Sequence, residues 1–200
     1  MEFQHVNVKL FVKDPEAVDL ERLIPVFHGW IQNQGRRELL LDIADYRHVA
    51  SGPGMVLIGH YGNFSVDNAG SRLGVRYNCK RPIEGTNQDR LAHSTQAAFA
   101  CCQRLEDEPS LNHTIQFNGH EIEFSINDRL LAPNTPPTRA AAEAEFRNFF
   151  SCLFGEGEYT MKYASDCRSP LSVHVRTANA FDTATLLNNL ASAAMMGSAK

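Results

Sequence analysis

The chain has 200 residues, 43% of them hydrophobic, which is enough to bury a sizeable core in one domain of about 100 to 200 residues or in two small ones. Its formal net charge of -4 leaves no basic excess to neutralise a phosphate backbone across a broad face, so nucleic acid is not an expected partner. No apolar run approaches the ~20 residues of a membrane span, and the residues from Met1 to His5 lack the basic and apolar regions of a secretory signal, so a cytoplasmic protein without a membrane partner is expected.

From Val6 to Val12 the apolar residues alternate. Val6, Val8, Leu10 and Val12 share one side and Asn7, Lys9, Phe11 and Lys13 the other, the period of a half-buried strand. Asp14-Pro15-Glu16 reads as a helix start, with Leu20, Leu23, Ile24, Phe27 and Ile31 continuing at helical spacing. Pro25 removes a backbone donor and clashes with the preceding turn, which predicts a kink or a restart. Gly35 is expected to close the helix.

Residues 38–46 fit either a helical face or a buried strand, and strand is the preferred reading because Leu39, Leu40 and Leu41 run together. Ser51 to Gly54 is turn chemistry, followed by a strand from Met55 to His60. The next hairpin has two closures. A two-residue turn at Tyr61-Gly62 pairs His60 with Asn63 and Ile58 with Ser65. A three-residue turn over His60-Tyr61-Gly62, with Gly62 left-handed, sets Val56, Ile58, Phe64 and Val66 on one apolar face and leaves His60 at an exposed tip. The second closure is preferred because it separates apolar from polar and needs positive φ only at glycine.

Leu73, Val75 and Tyr77 alternate as another strand. Thr86 and Asp89 have the spacing of a capping box, ahead of a helix carrying Leu91, Thr95, Ala98, Phe99, Cys102 and Leu105 and ending near Asp107. Asn118-Gly119 predicts a type I′ hairpin that pairs Phe117 with His120, with Ile122, Phe124 and Ile126 on the returning strand. Thr135-Pro136-Pro137 opens a helix with Ala142, Phe146, Phe149, Phe150 and Leu153 on its inner face, stopped at Gly155. Tyr159 to Tyr163 and Leu171 to Val175 read as a hairpin joined by a polar loop, and a final helix runs from about Asp182 to Met195.

Short strand connections without strict strand-helix alternation predict an α+β fold, with a mainly antiparallel sheet and about four helices packed over it. A single domain over 1-200 is expected, the alternative being two loosely similar halves, 1-110 and 111-200.

The candidate chemistry is dispersed. Asp42, Asp45, His48 and His60, with Asp67 nearby if the hairpin folds back, are the residue types of an acid-base pair or a metal site. On a strand, however, Asp42 and His48 face opposite to Asp45, and no spacing matches a metal motif. Asp45, His48, His60 and Asp67 are therefore the catalytic candidates, with no metal and no cofactor expected. Asp128 and Arg129 at a strand end are candidates for gripping a small anionic ligand.

Other features read as structural. Five cysteines, Cys79, Cys101, Cys102, Cys152 and Cys167, are odd in number and form no C-x-x-C pair, which argues against a disulfide framework and a four-cysteine zinc site. His28 reads as a packed or surface residue, and Ser169, Ser172 and His174 lack a third triad member and an elbow motif. The favoured function is a non-catalytic protein that binds a small ligand or another protein, expected as a homodimer. The alternative is a small-molecule enzyme using Asp and His acid-base or metal-assisted chemistry, with an arginine holding the substrate.

Overall fold

The computed structural model describes residues 1–34, 38–49 and 52–197, with side chains described as far as 192. Its strands are β1 (Val6–Val12), β2 (Leu40–Tyr46), β3 (Gly54–Gly59), β4 (Gly62–Asp67), β5 (Gly74–Cys79), β6 (Phe117–Ile126), β7 (Tyr159–Tyr163) and β8 (Leu171–Thr177). All eight form one sheet in the order β2-β3-β4-β5-β1-β6-β8-β7, and every pairing is antiparallel. The helices are α1 (Leu23–Gln32), α2 (Asn87–Glu106), α3 (Pro136–Phe154) and α4 (Thr183–Gly197). The fold is α+β, as the short strand connections require. No helix among the described residues is long and apolar enough to cross a membrane.

Register divides the sheet into two chemically distinct faces. Leu57, Phe64, Tyr77, Val8, Phe124, Val173 and Tyr163 lie opposite one another from β3 across to β7. Because side chains alternate along a strand, this row and its neighbours two residues away form a continuous apolar face. The helices cover it. Phe149 and Phe150 of α3 pack against Phe124, and α2 lies along β1 and β5. Full burial of each such ring contributes about 1.5 to 3 kcal/mol, so this interface is the main store of stability.

The expected helix boundaries hold best where capping chemistry is strong. Thr86 and Asp89 form the reciprocal capping box at the start of α2, Thr135 caps α3, and Gly155 ends it at φ +61°. The first helix differs. Asp14 makes no side-chain cap; the chain forms a 3-10 turn over Pro15–Ala17, extends at Val18 and Asp19, and turns again over Leu20–Arg22 before α1 begins. Pro25 then sits in the first turn of α1, where its missing N–H forfeits no intrahelical bond, so the interruption becomes a late start. The closure expected at Gly35 and the first residue of the turn expected at Ser51 lie outside the described residues.

Two hairpin expectations are corrected. Around His60 neither closure forms, because Ile58 pairs with Asn63 and Leu57 with Phe64, leaving His60 and Tyr61 as a two-residue tip. Gly62 is absent from the positive-φ positions. Glycine is needed there for close approach, since a Cβ would stand 2.4 Å from the Tyr77 ring. The apolar face thus takes Met55, Leu57, Phe64 and Val66, while Val56 and Ile58 join the other face.

At Asn118-Gly119 no turn forms, and both residues lie inside the single long strand β6. Phe117 pairs with Val12 instead of His120, through a register shift against β1. The Gly119 carbonyl accepts from the Phe181 amide, and a Cβ at Gly119 would stand 2.0 Å from the Phe181 oxygen. The glycine therefore serves a bulge and a close backbone crossing, both of which a turn signal resembles in sequence.

Candidate functional site

The sheet face opposite the helices is polar, and on it the pairing gathers side chains from distant parts of the chain. One cross-strand row reads Asn63, Asn78, Asn7, Ser125 and Ser172; the next reads Ser65, Arg76, Lys9, Glu123, His174 and Lys162. The alternation of β1 placed Asn7, Lys9 and Phe11 opposite the core. Yet all three are buried, because long neighbouring side chains fold over them.

In the second row the like charges of Arg76 and Lys9 are neighbours, and Asp67 and Glu123 offset them from either side. Lys9 Nζ donates to Asp67 Oδ1 at 2.7 Å and to the Arg72 carbonyl at 2.8 Å. Arg76 Nε meets Asp67 Oδ2 at 3.2 Å, and its Nη2 meets Glu123 Oε1 at 3.3 Å. Only 1% of the Lys9 side chain and 4% of the Asp67 side chain are exposed, so each is the other's replacement for water. Burial lowers the Lys9 ammonium pKa below its ordinary value, with Asp67 opposing the shift. Gly74 makes the crossing feasible, since a Cβ there would stand 2.8 Å from Lys9 Cε.

Next to this row two arginines and an imidazole surround one carboxylate. Glu121 is contacted by Arg72, by His174 Nε2 at 3.4 Å and by Arg176 Nη1 at 3.7 Å. The Arg72 guanidinium also lies 3.8 Å from the Phe11 ring centre, and the His174 ring packs edgewise on the same phenyl group. Burial alone would raise the Glu121 pKa, but the Arg72 hydrogen bond and the Arg72, His174 and Arg176 charges outweigh it and hold the carboxyl below its usual range. Lys162 stands opposite His174 in register. Arg176 is 68% exposed and reaches an open depression of about 810 Å³ at the β7 edge, whose lining also includes His120, Arg147 of α3 and the carboxylates Glu156 and Glu158. Such an array can hold an oxyanion through charge-assisted hydrogen bonds.

The residues singled out from the sequence are not gathered in this way. Asp42 pairs with Ile58 and Asp45 with Met55, so the two carboxylates take opposite faces of edge strand β2. Asp45 is held by the Arg47 guanidinium, at 2.8 Å from Nη2, which brings its pKa down to about 2. His48 is exposed in the turn that follows. His60 lies five residues beyond Met55, ~16 Å along β3 from Asp45's partner, with its ring edgewise to Tyr61. By register Asp42 and Asp67 both belong to the polar face, but Asp42 stands on the edge strand and only Asp67 joins the ion-paired cluster.

Asp128 turns back to accept from the Leu130 and Leu131 amides, both at 3.0 Å. Arg129 is exposed, and the two do not form a joint clamp. Asn134 is buried and pins the loop between β7 and β8 by donating to the Ala164 and Asp166 carbonyls. No group of three or more His, Cys, Asp or Glu side chains among the described residues is placed to hold a metal ion.

Arg72, Arg76, Glu121, Glu123 and Arg176 were not singled out from the sequence, and His174 was considered only beside Ser169 and Ser172 as an incomplete triad. Their one signal was recurrence of ionisable residues on the outer side of predicted strands, a pattern that solvated faces share. Compared with protein-family models, with curated proteins and with solved structures, the chain matches none, so the functional reading rests on the geometry of this face.

Proposed function

We propose that the protein is a non-catalytic binding protein that takes a small anionic ligand at the β6–β8 end of its helix-free sheet face. The observation that carries this reading is the crowding of Arg72, His174 and Arg176 around the single carboxylate of Glu121. Arg176 opens onto the adjoining depression. Arg72 and His174 are held against the Phe11 ring, so a ligand oxyanion meets donors that are already oriented there. The binding reading also draws support from the acids that a catalyst would use. Asp45 is locked by Arg47, and Asp67 is locked between Lys9 and Arg76.

The reading includes a homodimer, supported by the exposed Leu39 and Leu41 beside the free edge of β2. The dimer contact would be made by these side chains rather than by added strand pairing. The edge is bulged at Leu41, and Asp42 Oδ1 already accepts from the Ile43 amide. Light scattering should then give twice the 22.3 kDa chain mass.

Calorimetric titration with citrate and with inorganic phosphate at low salt tests the ligand site. Saturable binding of at least one probe is expected, weakened about tenfold by Arg176→Gln, which removes a charge-assisted contact of about 1.5 kcal/mol. Absence of saturable heat with both probes, or equal affinity in the variant, would overturn the proposal.

A further inference from the structure

A second concavity lies on the helical side of the molecule, away from the polar face. It is a groove of about 540 Å³ between α1 and the end of α2, lined by Arg22, Pro25, Val26, Gly29, Trp30 and Arg104 among others. Trp30 packs beside Phe27, and its indole N–H donates to Glu108 Oε2 at 3.3 Å. The Arg104 guanidinium stacks on the indole, 4.0 Å from the ring centre.

The stack fixes the plane of Arg104 without satisfying its N–H donors, and no hydrogen bond or ion pair from this guanidinium is found among the described residues. Glu108 also lines the groove and its charge acts on Arg104, but it makes no ion pair with it: Oε1 accepts from the Ser110 hydroxyl at 2.8 Å and Oε2 from the Trp30 indole. Arg22 donates to the Ser110 carbonyl and closes the same end of the groove. Gly29 leaves the floor open, because a Cβ built there meets no atom within 4 Å. Pro25 and Val26 supply an apolar wall.

An oriented guanidinium edge beside an apolar wall matches a ligand with a carboxylate at one end and a flat apolar body at the other. The geometry points to a binding site for a small aryl carboxylate in this groove, with Arg104 gripping the carboxylate in two parallel hydrogen bonds and the ring lying along Pro25, Val26 and Gly29. Its volume fits a molecule of that class. The site is independent of the anion site proposed above, since the two share no residue.

Trp30 is the only tryptophan in the chain, so its fluorescence reports on this groove alone. Titration with benzoate, followed by Trp30 emission and by calorimetry, should show saturable binding, with benzamide failing to bind and inorganic phosphate binding at least tenfold more weakly. Gly29→Leu should abolish benzoate binding by filling the open floor, while its thermal midpoint stays at or above that of the parent protein, as expected for replacing glycine within a helix. Arg104→Gln should weaken binding at least tenfold. No saturable response to benzoate, an equal response to benzamide, phosphate binding as tightly as benzoate, or undiminished binding by Gly29→Leu would each overturn the assignment.

Discussion

Removing one member of the buried Lys9–Asp67 pair should harm the fold far more than removing both. Lys9→Met leaves the Asp67 carboxylate with 4% side-chain exposure, still facing Arg76 at 3.2 Å but without its closest countercharge. Asp67→Leu leaves the Lys9 ammonium beside Arg76, whose charge already disfavours it. Breaking a buried pair in this way costs about 3 to 5 kcal/mol, whereas replacing both partners with apolar groups is often near neutral. For a chain of this length each kcal/mol lowers the midpoint by about 2 to 4 °C, so each single variant should melt roughly 6 to 20 °C lower. The double variant Lys9→Met, Asp67→Leu should return to within about 1 kcal/mol of the parent. Urea unfolding of all four proteins gives the coupling directly. Single losses below about 1 kcal/mol, or strict additivity in the double, would refute the idea that these two charges stand in for one another's solvent.

Gly62→Ala should cost about 1 to 3 kcal/mol by overpacking against Tyr77, whose ring would lie 2.4 Å from the new Cβ. Gly70→Ala should cost only about 1 kcal/mol, because that residue has φ +67° but no neighbour within 4 Å. Urea midpoints for the two variants check the contrast. Since the Glu121 pKa is lowered in the folded protein, its stabilising contribution is fully present above the unfolded value of about 4.5 and is lost as pH falls through the folded value. Glu121→Gln should therefore flatten the fall in thermal midpoint as pH drops below about 4.5. Arg47→Gln should return the Asp45 carboxyl, now at about 2, toward its ordinary value near 3.9 in an NMR titration, and should leave overall stability unchanged because the pair is solvent-exposed.

The parts of the fold legible in sequence were those set by local chemistry. The alternation of β1, the capping box of α2, and the Thr135 and Gly155 boundaries of α3 each depend on residues within a turn or two of one another. The failures came where a glycine's purpose is tertiary. Gly62 is demanded by Tyr77 and Gly119 by Phe181, and neither neighbour can be found by inspecting the hairpin sequence itself. A turn preference of a few tenths of a kcal/mol yields to a strand that extends an eight-stranded sheet.

The polar site was harder to read for the same reason, carried one level further. Lys9 and Glu123 face each other because β1 and β6 are adjacent, and Arg72 reaches Glu121 across that junction. The sequence reading favoured acids and imidazoles close together in the chain, yet proximity along edge strand β2 disperses them, because Asp42 and Asp45 fall on opposite faces. Central strands do the reverse. Each contributes one charge per face every two residues, and neighbours on both sides shield that charge from water, so partners drawn from three or four strands become strongly coupled. If the strand order were otherwise, with β6 paired elsewhere, Glu121 and Glu123 would leave Arg72 and Arg76 and no cationic cluster would remain. The proposed recruitment of an anion to this face would thus depend on the β1–β6 junction, and substitutions there should change binding and stability together, whereas those at Asp45 or His48 should change neither.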